Sequence, residues 1–314
     1  MFADLKSKNN DRNNSNSNDK YSSPFATLRM TRLVGMLASV RAEAEVSLLR
    51  LAISAIAVNK SQGHAVHSAH RPMGDSRGDS PMSTTTTFWT RFEERVAPYN
   101  LLSHPFYQAW SKGELTQEDL REYAAEYWHH VSAFPTYLSA LHSRLPDSEL
   151  RREVLRNLSE EEGTDSPSTR PHSDLWMDFA EGMGATREAV EGRAVLPEMT
   201  ALMASFRSAM QEPTPAAALA ALYAYESKVP AIALTKAEGL EKHYSADAAT
   251  ARYFTVHQTA DVAHAGVWRR LIAKQLAGDS AAEEAALESG ERAAKALWTA
   301  LDGVERERLA RKAA

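Results

Sequence analysis

From Phe88 to the C-terminus, apolar residues recur at intervals of three and four positions, and no stretch alternates β-branched with polar residues. Alanine, leucine, glutamate and arginine, which favour helices, are abundant in the same region. Because such intervals keep residues on one face of a helix, the pattern predicts a succession of amphipathic helices. We therefore predict an all-α domain over residues 88–311.

One predicted helix follows Thr116, which can cap it together with Asp119 three positions later. The residues that share one face of this helix are Tyr123, Tyr127, His130, Phe134, Tyr137 and Leu141. We expect this face to lie against the core. We also expect His130 to be a hydrogen-bonded buried histidine rather than a metal ligand.

The remaining periodic segments predict helices at about residues 147–162, 172–183, 186–209, 216–240, 247–276 and 281–300, with a loop at 163–171. Pro135 and Pro230 fall inside two of the predicted helices. Because the proline ring removes a backbone donor, we expect a bend at each position.

Residues 1–87 differ in composition from the rest of the chain. Residues 1–23 are rich in asparagine, serine, aspartate and lysine, and bury too little apolar surface to offset their ordering entropy. Residues 31–58 predict a separate helix, and a segment rich in glycine, serine, histidine and proline follows it. We interpret residues 1–87 as a low-complexity, flexible extension. We expect Met82 to be the natural start, which the intact mass of the natively expressed protein would test.

Composition narrows the classes of function. The 314 residues are 43% hydrophobic and 25% charged, which is typical of a soluble globular domain. A net charge of −5 gives no basic field for nucleic acid, and no stretch approaches the roughly 20 apolar residues that span a bilayer. The absence of cysteine excludes disulfides, thiolate metal sites and cysteine nucleophiles. We expect a cytoplasmic protein with neither a nucleic-acid nor a membrane partner.

Three candidate metal ligands lie within the sequence HQTADVAH. His257, Asp261 and His264 are spaced at i, i+4 and i+7, which places them on one stripe of a helix. Imidazole and carboxylate together suit iron or manganese, so redox metal chemistry is the first hypothesis. The alternative is a solvated helix face that carries polar residues by chance.

Further ligands must come from other helices, as in dimetal sites of helical bundles. Glu226 lies in an alanine-rich, aromatic helix, where a carboxylate needs a partner or a cation. The run Glu160, Glu161 and Glu162 places three negative charges near a helix C-terminus, a cost that a bound cation would relieve. The alternative for this run is a solvated acidic helix end.

Several stretches resemble a known family. They are HPFYQAWSKGELT at 104–116, FPTYLSALHSR at 134–144, DLW at 174–176, ALYAYES at 221–227 and HQTADVAH at 257–264. In this order they are similar to the CADD-like para-aminobenzoate synthases, which belong to the heme-oxygenase-like dimetal oxidases. The resemblance covers most of residues 88–300 and implies a heme-oxygenase-like helical bundle.

The resemblance implies six ligands for two metal ions, which would be iron or an iron–manganese pair. These ligands are Glu161, His172, Glu226, His257, Asp261 and His264. Three carboxylates partly neutralise two divalent cations, and nitrogen and oxygen donors suit both metals. Which of Glu160, Glu161 and Glu162 is the ligand stays open.

The resemblance also implies an unusual substrate, in which Tyr107 of the protein supplies the aromatic ring and Lys236 supplies the amine. The alternatives are aromatic packing for Tyr107 and solvent exposure for Lys236. Lys236 lies ten residues after Glu226, about 15 Å along a straight helix, which exceeds the reach of a lysine side chain. A bend at Pro230, or a donor position above the metal ions, would close this gap between Lys236 and the ligand Glu226.

We therefore predict an oxygen-activating dimetal oxidase that makes para-aminobenzoate for folate biosynthesis. Dioxygen and an external reductant are its expected co-substrates, and a homodimer is an expected state for a bundle of this size. The alternatives are a metal-free oxidase similar to the pyrroloquinoline quinone synthases and a non-enzymatic protein-interaction module. A TenA-like thiaminase is excluded because its nucleophile is a cysteine.

Overall fold

The computed structural model describes residues 81–276 and 278–314, with side chains from residue 87 onward. The predicted helix at residues 31–58 and nearly all of the predicted extension lie outside the described residues. Within them, no helix is both long and apolar enough to cross a membrane.

The described residues form α-helices and two short 3-10 turns, without a strand, which confirms the all-α prediction. The 3-10 turns are Ala97–Tyr99 and Leu101–Ser103. The helices are α1 (Pro81–Val96), α2 (Pro105–Lys112), α3 (Gln117–Arg144), α4 (Ser148–Glu161), α5 (His172–Gly182), α6 (Arg187–Glu191), α7 (Pro197–Ala209), α8 (Pro215–Glu226), α9 (Val229–Tyr244), α10 (Arg252–Leu276) and α11 (Ser280–Ala313).

Helix α3 begins as its sequence predicts. The Asp119 backbone N–H donates to the Thr116 side chain at 3.0 Å, and the Thr116 N–H donates to the Asp119 carboxylate at 3.0 Å. Such a reciprocal pair satisfies two of the free amide groups at a helix start. The predicted aromatic face of α3 is buried, so the capping box and the core-facing stripe are both confirmed.

The expectation that His130 is hydrogen-bonded is wrong. Its ring is fully buried, and neither ring nitrogen has a hydrogen-bond partner among the described residues. Rings surround it instead, with centroids at 5.2 Å for Phe206 and 5.5 Å for Tyr225. Burial lowers the pKa of His130 to about 3, so the imidazole is neutral.

Two of the predicted helices are each divided in two. The helix predicted at 186–209 is divided into α6, which ends at Glu191, and α7, which starts at Pro197. Glu126 stabilises the segment between them by accepting hydrogen bonds from Arg193 Nε and the Leu196 N–H, each at 2.8 Å. The helix predicted at 216–240 ends at Glu226, and α9 starts at Val229.

Pro230 therefore lies in the first turn of α9, where no backbone donor is needed, rather than at a bend inside a helix. The prediction of a bend at Pro230 within one helix is therefore wrong. The last helix also differs from its prediction, because α11 continues to Ala313 instead of ending near residue 300.

Helix α8 is central to the bundle. Its residues from Ala216 to Ala224 are all buried, and it packs against α10 and α11. Close approach to α11 depends on Gly290, where a Cβ atom would collide with the Phe92 ring and lie against the Ala220 carbonyl. This packing carries Glu226, at the C-terminal end of α8, into the interior.

The loop between α4 and α5 lies where the sequence predicts it and brings two further side chains together. Gly163 has a φ of +64°, and a Cβ atom there would collide with the backbone of Arg170. Glycine allows this tight return of the chain. As a result Glu161, at the end of α4, lies beside His172, at the start of α5.

Candidate metal centre

Four helices bring the six predicted ligands together in the interior. The first triad contains Glu161, His172 and His257, and the second contains Glu226, Asp261 and His264. Within each triad, one ligand atom from each residue lies within 4.8 Å of the others. All six residues are buried, so the alternative of a solvated helix face is wrong.

The first triad is arranged around two imidazoles and one carboxylate. His172 Nδ1 lies 2.9 Å from Glu161 Oε2, and the ring centroids of His172 and His257 are 4.4 Å apart. His257 Nδ1 donates to the Tyr253 carbonyl oxygen at 2.7 Å. Because a carbonyl only accepts, this bond leaves the lone pair of His257 Nε2 free for a metal ion.

The second triad is held in place through Glu226. Its Oε2 accepts hydrogen bonds from Trp268 Nε1 at 2.9 Å and from Asn157 Nδ2 at 3.2 Å. Its Oε1 is buried and has no hydrogen-bond partner among the described residues. A carboxylate that is oriented at one oxygen and unpaired at the other is suited to bind a cation.

His264 lies among three carboxylates. Its Nε2 is 2.8 Å from Glu160 Oε2, and its Nδ1 is 3.3 Å from Asp261 Oδ1 and 3.4 Å from Glu226 Oε2. Burial alone would lower the pKa of His264, but these hydrogen-bonding carboxylates raise it to about 12. The surroundings of His264 therefore favour positive charge.

The position of each glutamate in the 160–162 run is different. Glu161 is buried in the first triad, whereas Glu162 is exposed after the helix end. Glu160 is 30% exposed and contacts His264 of the second triad. The geometry supports Glu161 as the ligand in this run.

Three contacts to the centre were not predicted from the sequence. Glu160 faces His264, and Asn157 and Trp268 both donate to Glu226. Asn157 lies four residues before Glu161 and Trp268 four residues after His264, so each shares a helix face with a predicted ligand. That spacing was the available signal, although it does not show which side chain each one meets.

The donor set fits a pair of divalent ions. Burial raises the pKa of Asp261, because a charged carboxylate loses its hydration. Burial also opposes ionisation of Glu161, but the facing imidazoles of His172 and His257 lower its pKa. The two triads provide closely spaced buried carboxylates and imidazoles, and the Glu226 carboxylate has one unpaired oxygen. These are the nitrogen and oxygen donors that iron and manganese accept.

Lys236 and Tyr107 form a second buried cluster with Tyr123. The Lys236 amine donates to Tyr107 Oη at 2.8 Å and to Tyr123 Oη at 2.5 Å, and the two hydroxyls are 3.1 Å apart. Lys236 is 5% exposed, and no carboxylate forms an ion pair with it within the described part of the chain. The alternative of a solvated lysine is therefore wrong.

The charge state of this cluster follows from burial. Desolvation lowers the pKa of Lys236 well below its ordinary value and raises the pKa of Tyr107 and of Tyr123 well above theirs. All three changes favour the uncharged forms. The cluster therefore brings together one amine and two phenols whose buried surroundings favour their uncharged forms.

Helix packing explains how Lys236 reaches Tyr107. The Trp110 indole N–H on α2 donates to the Lys236 carbonyl oxygen on α9 at 3.3 Å, and Gly239 lets the two helices approach closely. The estimate of about 15 Å between Glu226 and Lys236 assumed one straight helix, and it does not apply because the helix is broken between α8 and α9. Tyr107 combines aromatic packing with a specific contact to the amine.

Two tyrosines lie between the two candidate metal-binding triads and the cluster of Lys236, Tyr107 and Tyr123. Tyr253 stacks on His257 with ring centroids 4.0 Å apart, and Tyr225 directly precedes Glu226. Both tyrosines line the cavity that contains Tyr107 and Lys236 as well as the cavity at the triads. The two cavities therefore share these walls.

Comparison with known proteins agrees with this geometry. A family model described as iron-containing redox enzyme matches residues 121–298. The 4-aminobenzoate synthase of Nitrosomonas europaea is 40% identical over 230 residues, which cover 70% of this chain and 92% of that protein. The 4-aminobenzoate synthase of Chlamydia trachomatis is 40% identical over 222 residues, which cover 70% of this chain and 93% of that protein.

A solved structure shows the same fold. A domain from Shewanella denitrificans with a heme oxygenase-like fold matches with a TM-score of 0.59 and 16% identity, covering 74% of this chain and 94% of that one. The family model covers more than half of this chain, and the 4-aminobenzoate synthase of Nitrosomonas europaea is 40% identical to it. This chain therefore belongs to the family of iron-containing redox enzymes with a heme-oxygenase-like fold that includes the 4-aminobenzoate synthases.

Proposed function

We propose that this protein makes 4-aminobenzoate in an oxygen-dependent redox reaction, with Tyr107 as the source of the ring and Lys236 as the donor of the amine. The observation that carries the proposal is the 2.8 Å contact between Lys236 Nζ and Tyr107 Oη. Relatives at 40% identity that are named 4-aminobenzoate synthase support the choice of product.

The substitution pattern of the product matches this contact. In 4-aminobenzoate the nitrogen is para to the carbon that bears the carboxyl group, and in tyrosine the hydroxyl oxygen is para to the carbon that bears Cβ. The amine would therefore take the ring position of the hydroxyl, whose oxygen leaves as water. The Cε–Nζ bond of Lys236 and the Cα–Cβ bond of Tyr107 would break, and Cβ would be oxidised to the carboxyl carbon with dioxygen as the oxidant. Lys236 Nζ lies beside that hydroxyl and 4.2 Å from the ring centroid of Tyr107.

The uncharged form of Lys236, which burial favours, suits an amine donor. A protonated amine has no lone pair with which to form a bond to carbon, and burial lowers the pKa of Lys236 well below its ordinary value. The surrounding rings of Trp110, Trp176 and Phe254 also keep water from the reacting atoms.

The two triads would hold two metal ions, iron or iron with manganese. Once bound, these ions would supply oxygen-activating redox chemistry, with dioxygen as the oxidant and an external reductant as the source of electrons. The protein's own contribution is orientation, since Trp268 and Asn157 hold Glu226 while the Tyr253 carbonyl holds His257. Burial of the ligands excludes water from the site.

A single-turnover experiment tests the proposal. The protein is loaded with iron, or with iron and manganese, reduced and exposed to oxygen. We expect 4-aminobenzoate together with a loss of mass that peptide mapping assigns to Tyr107. Protein that contains ring-labelled tyrosine should give labelled product in buffer without free tyrosine.

The outcomes separate parts of the proposal. Product formed while Tyr107 stays intact would contradict its role as ring source. Product formed equally well by metal-free protein would instead favour the metal-free oxidase similar to the pyrroloquinoline quinone synthases. No product with any metal combination would reject the proposed function.

A further inference from the structure

Three cavities between the surface of the bundle and the triads share lining residues. The outer cavity lies between α1, the two 3-10 turns, the C-terminal end of α8, and α11, and holds about 910 Å³ of space with its opening included. Leu101 and Tyr225 line both this cavity and the inner cavity of Tyr107 and Lys236. Tyr225 also lines the cavity at the triads.

The outer cavity combines an apolar wall with one ion pair. Its apolar lining includes Val96, Leu101, Ala224, Tyr225, Ala294 and Leu297. Lys228 and Glu93 also line it, and Lys228 Nζ lies 2.8 Å from Glu93 Oε2. Their side chains are 39% and 47% exposed, so this pair faces solvent while the lining residues Leu101 and Leu297 are buried.

We propose that the outer cavity binds 4-aminobenzoate as it leaves the inner cavity, with Lys228 as the partner of its carboxylate. This inference rests on the proposed function, because it assumes that the small aromatic acid forms beside Tyr107 and Lys236. An acid formed in the interior needs a route to solvent, and the outer cavity shares two lining residues with the place of formation.

The chemistry of the cavity matches both ends of this ligand. The ring fits against the apolar lining, where burial of apolar surface is favourable. The carboxylate needs a cation, and Lys228 is the lysine in the outer lining. Leu101 is the buried apolar side chain that stands between the two cavities.

Glu93 competes with the ligand for Lys228. Because the glutamate and the bound carboxylate are both anions, the ligand must displace Glu93 or share the amine with it. Removing the negative charge of residue 93 should strengthen binding, and removing the positive charge of residue 228 should weaken it. Substitutions at these two contacting residues are therefore expected to change the affinity for 4-aminobenzoate in opposite directions.

Binding is measured with full-length, metal-loaded protein under anaerobic conditions, where no turnover occurs. Calorimetric titrations use 4-aminobenzoate and, as a matched probe without the carboxylate, aniline. We expect Lys228→Met to weaken 4-aminobenzoate binding about fivefold and Glu93→Gln to strengthen it about twofold to fivefold, as for a partly exposed ion pair. Aniline binding should not change in either variant.

Ala294 tests the location of the site. Of the three cavities, Ala294 lines only the outer one. A larger side chain there therefore fills the outer cavity without touching Tyr107 or Lys236. We expect Ala294→Trp to reduce binding of both probes at least tenfold. Ala294→Leu, which is easier to accommodate in the fold, should reduce it by a smaller factor, with thermal unfolding as the check on folding.

Unchanged 4-aminobenzoate binding in Lys228→Met and in a folded Ala294 variant would overturn the assignment. Equal weakening of aniline binding in Lys228→Met would overturn the role of the carboxylate. The oxygen-exposure experiment on the unmodified protein separates the two proposals. If 4-aminobenzoate is made but does not bind in this cavity, the inference fails and the proposed function stands.

Discussion

The amine of Lys236 lies 2.8 Å from the hydroxyl of Tyr107, although the two residues are 129 positions apart in the chain. Both groups are buried, and burial shifts the pKa of each toward its uncharged form. A buried lysine without a carboxylate partner is costly to a folded protein, so its presence here points to a chemical role. The first prediction concerns this residue.

Lys236→Met should abolish 4-aminobenzoate formation and leave the fold intact. Methionine has similar length and is apolar, so it removes a polar group that has no ionic partner here. We expect the free energy of unfolding to stay equal or to rise by about 1 kcal/mol. Product is measured by mass spectrometry, and unfolding by denaturant titration.

Lys242→Met is the matched control for this variant. Lys242 lies on the same helix and is exposed, so the substitution should change neither product formation nor stability. Normal product yield from Lys236→Met would eliminate Lys236 as the amine donor.

Tyr107→Phe should also abolish product formation, because it removes the hydroxyl at the ring position that receives the amine. Tyr123 and Lys236 keep their mutual 2.5 Å contact, so the cost to stability should stay within about 1 kcal/mol. Tyr137→Phe is the control, since the buried Tyr137 hydroxyl has no hydrogen-bond partner in the described structure. A loss of product in Tyr137→Phe equal to that in Tyr107→Phe would show that the assay reports general damage.

The number of bound metal ions should depend on the residues of the two triads. We expect about two ions per chain in the unmodified protein, one for each triad, as in the dimetal sites known from helical bundles. Glu161→Gln should lower this to about one, because it removes the carboxylate of the first triad. Glu162→Gln should leave it unchanged, because Glu162 is exposed beyond the helix end.

Elemental analysis of purified, metal-loaded protein gives these numbers directly. If Glu162→Gln lost metal and Glu161→Gln did not, the ligand assignment within the acidic run would be wrong.

Trp268→Phe tests positioning of the second triad. The indole N–H donates to Glu226 Oε2 at 2.9 Å and does not belong to either triad. Loss of such an orienting hydrogen bond typically lowers metal affinity by about 10-fold to 100-fold. Competition with a chelator measures the affinity, and an affinity equal to that of the unmodified protein would show that Asn157 alone holds the carboxylate.

His130 should make the protein sensitive to acid. Burial lowers its pKa to about 3, whereas the unfolded chain binds a proton near the ordinary value of 6.5. Between these values the unfolded state binds more protons, so the free energy of unfolding falls as the pH falls. The contribution is at most about 1.4 kcal/mol per pH unit.

Denaturant titrations at pH 7 and pH 5 measure this contribution. His130→Phe should lose less stability over the interval than the unmodified protein, since the phenyl ring has no proton to bind. His142→Phe, at a half-exposed position of the same helix, is the control. Equal losses in all three proteins would show that His130 does not set the acid response.

Local features of this protein could be predicted from spacing alone. The Thr116 and Asp119 cap, the buried stripe of α3 and the shared face of His257, Asp261 and His264 all depend on residues within a few turns of one helix. Such contacts are determined by the helical repeat, which is the same in every protein. The resemblance to a family supplied the other candidate ligands and the candidate roles of Tyr107 and Lys236.

Contacts between helices were decided only by the tertiary structure. Helix ends depend on competition between local propensity and packing, which is why α8 and α9 separate before Pro230. Packing of α9 against α2 brings Lys236 to Tyr107, and the packing of α4 against α10 brings Glu160 to His264 across 104 positions. Helix packing also leaves His130 among aromatic rings, with no hydrogen-bond partner for its ring nitrogens in the described part of the chain. Periodicity shows which face of a helix is buried, whereas the partner of a buried side chain depends on where another helix crosses it.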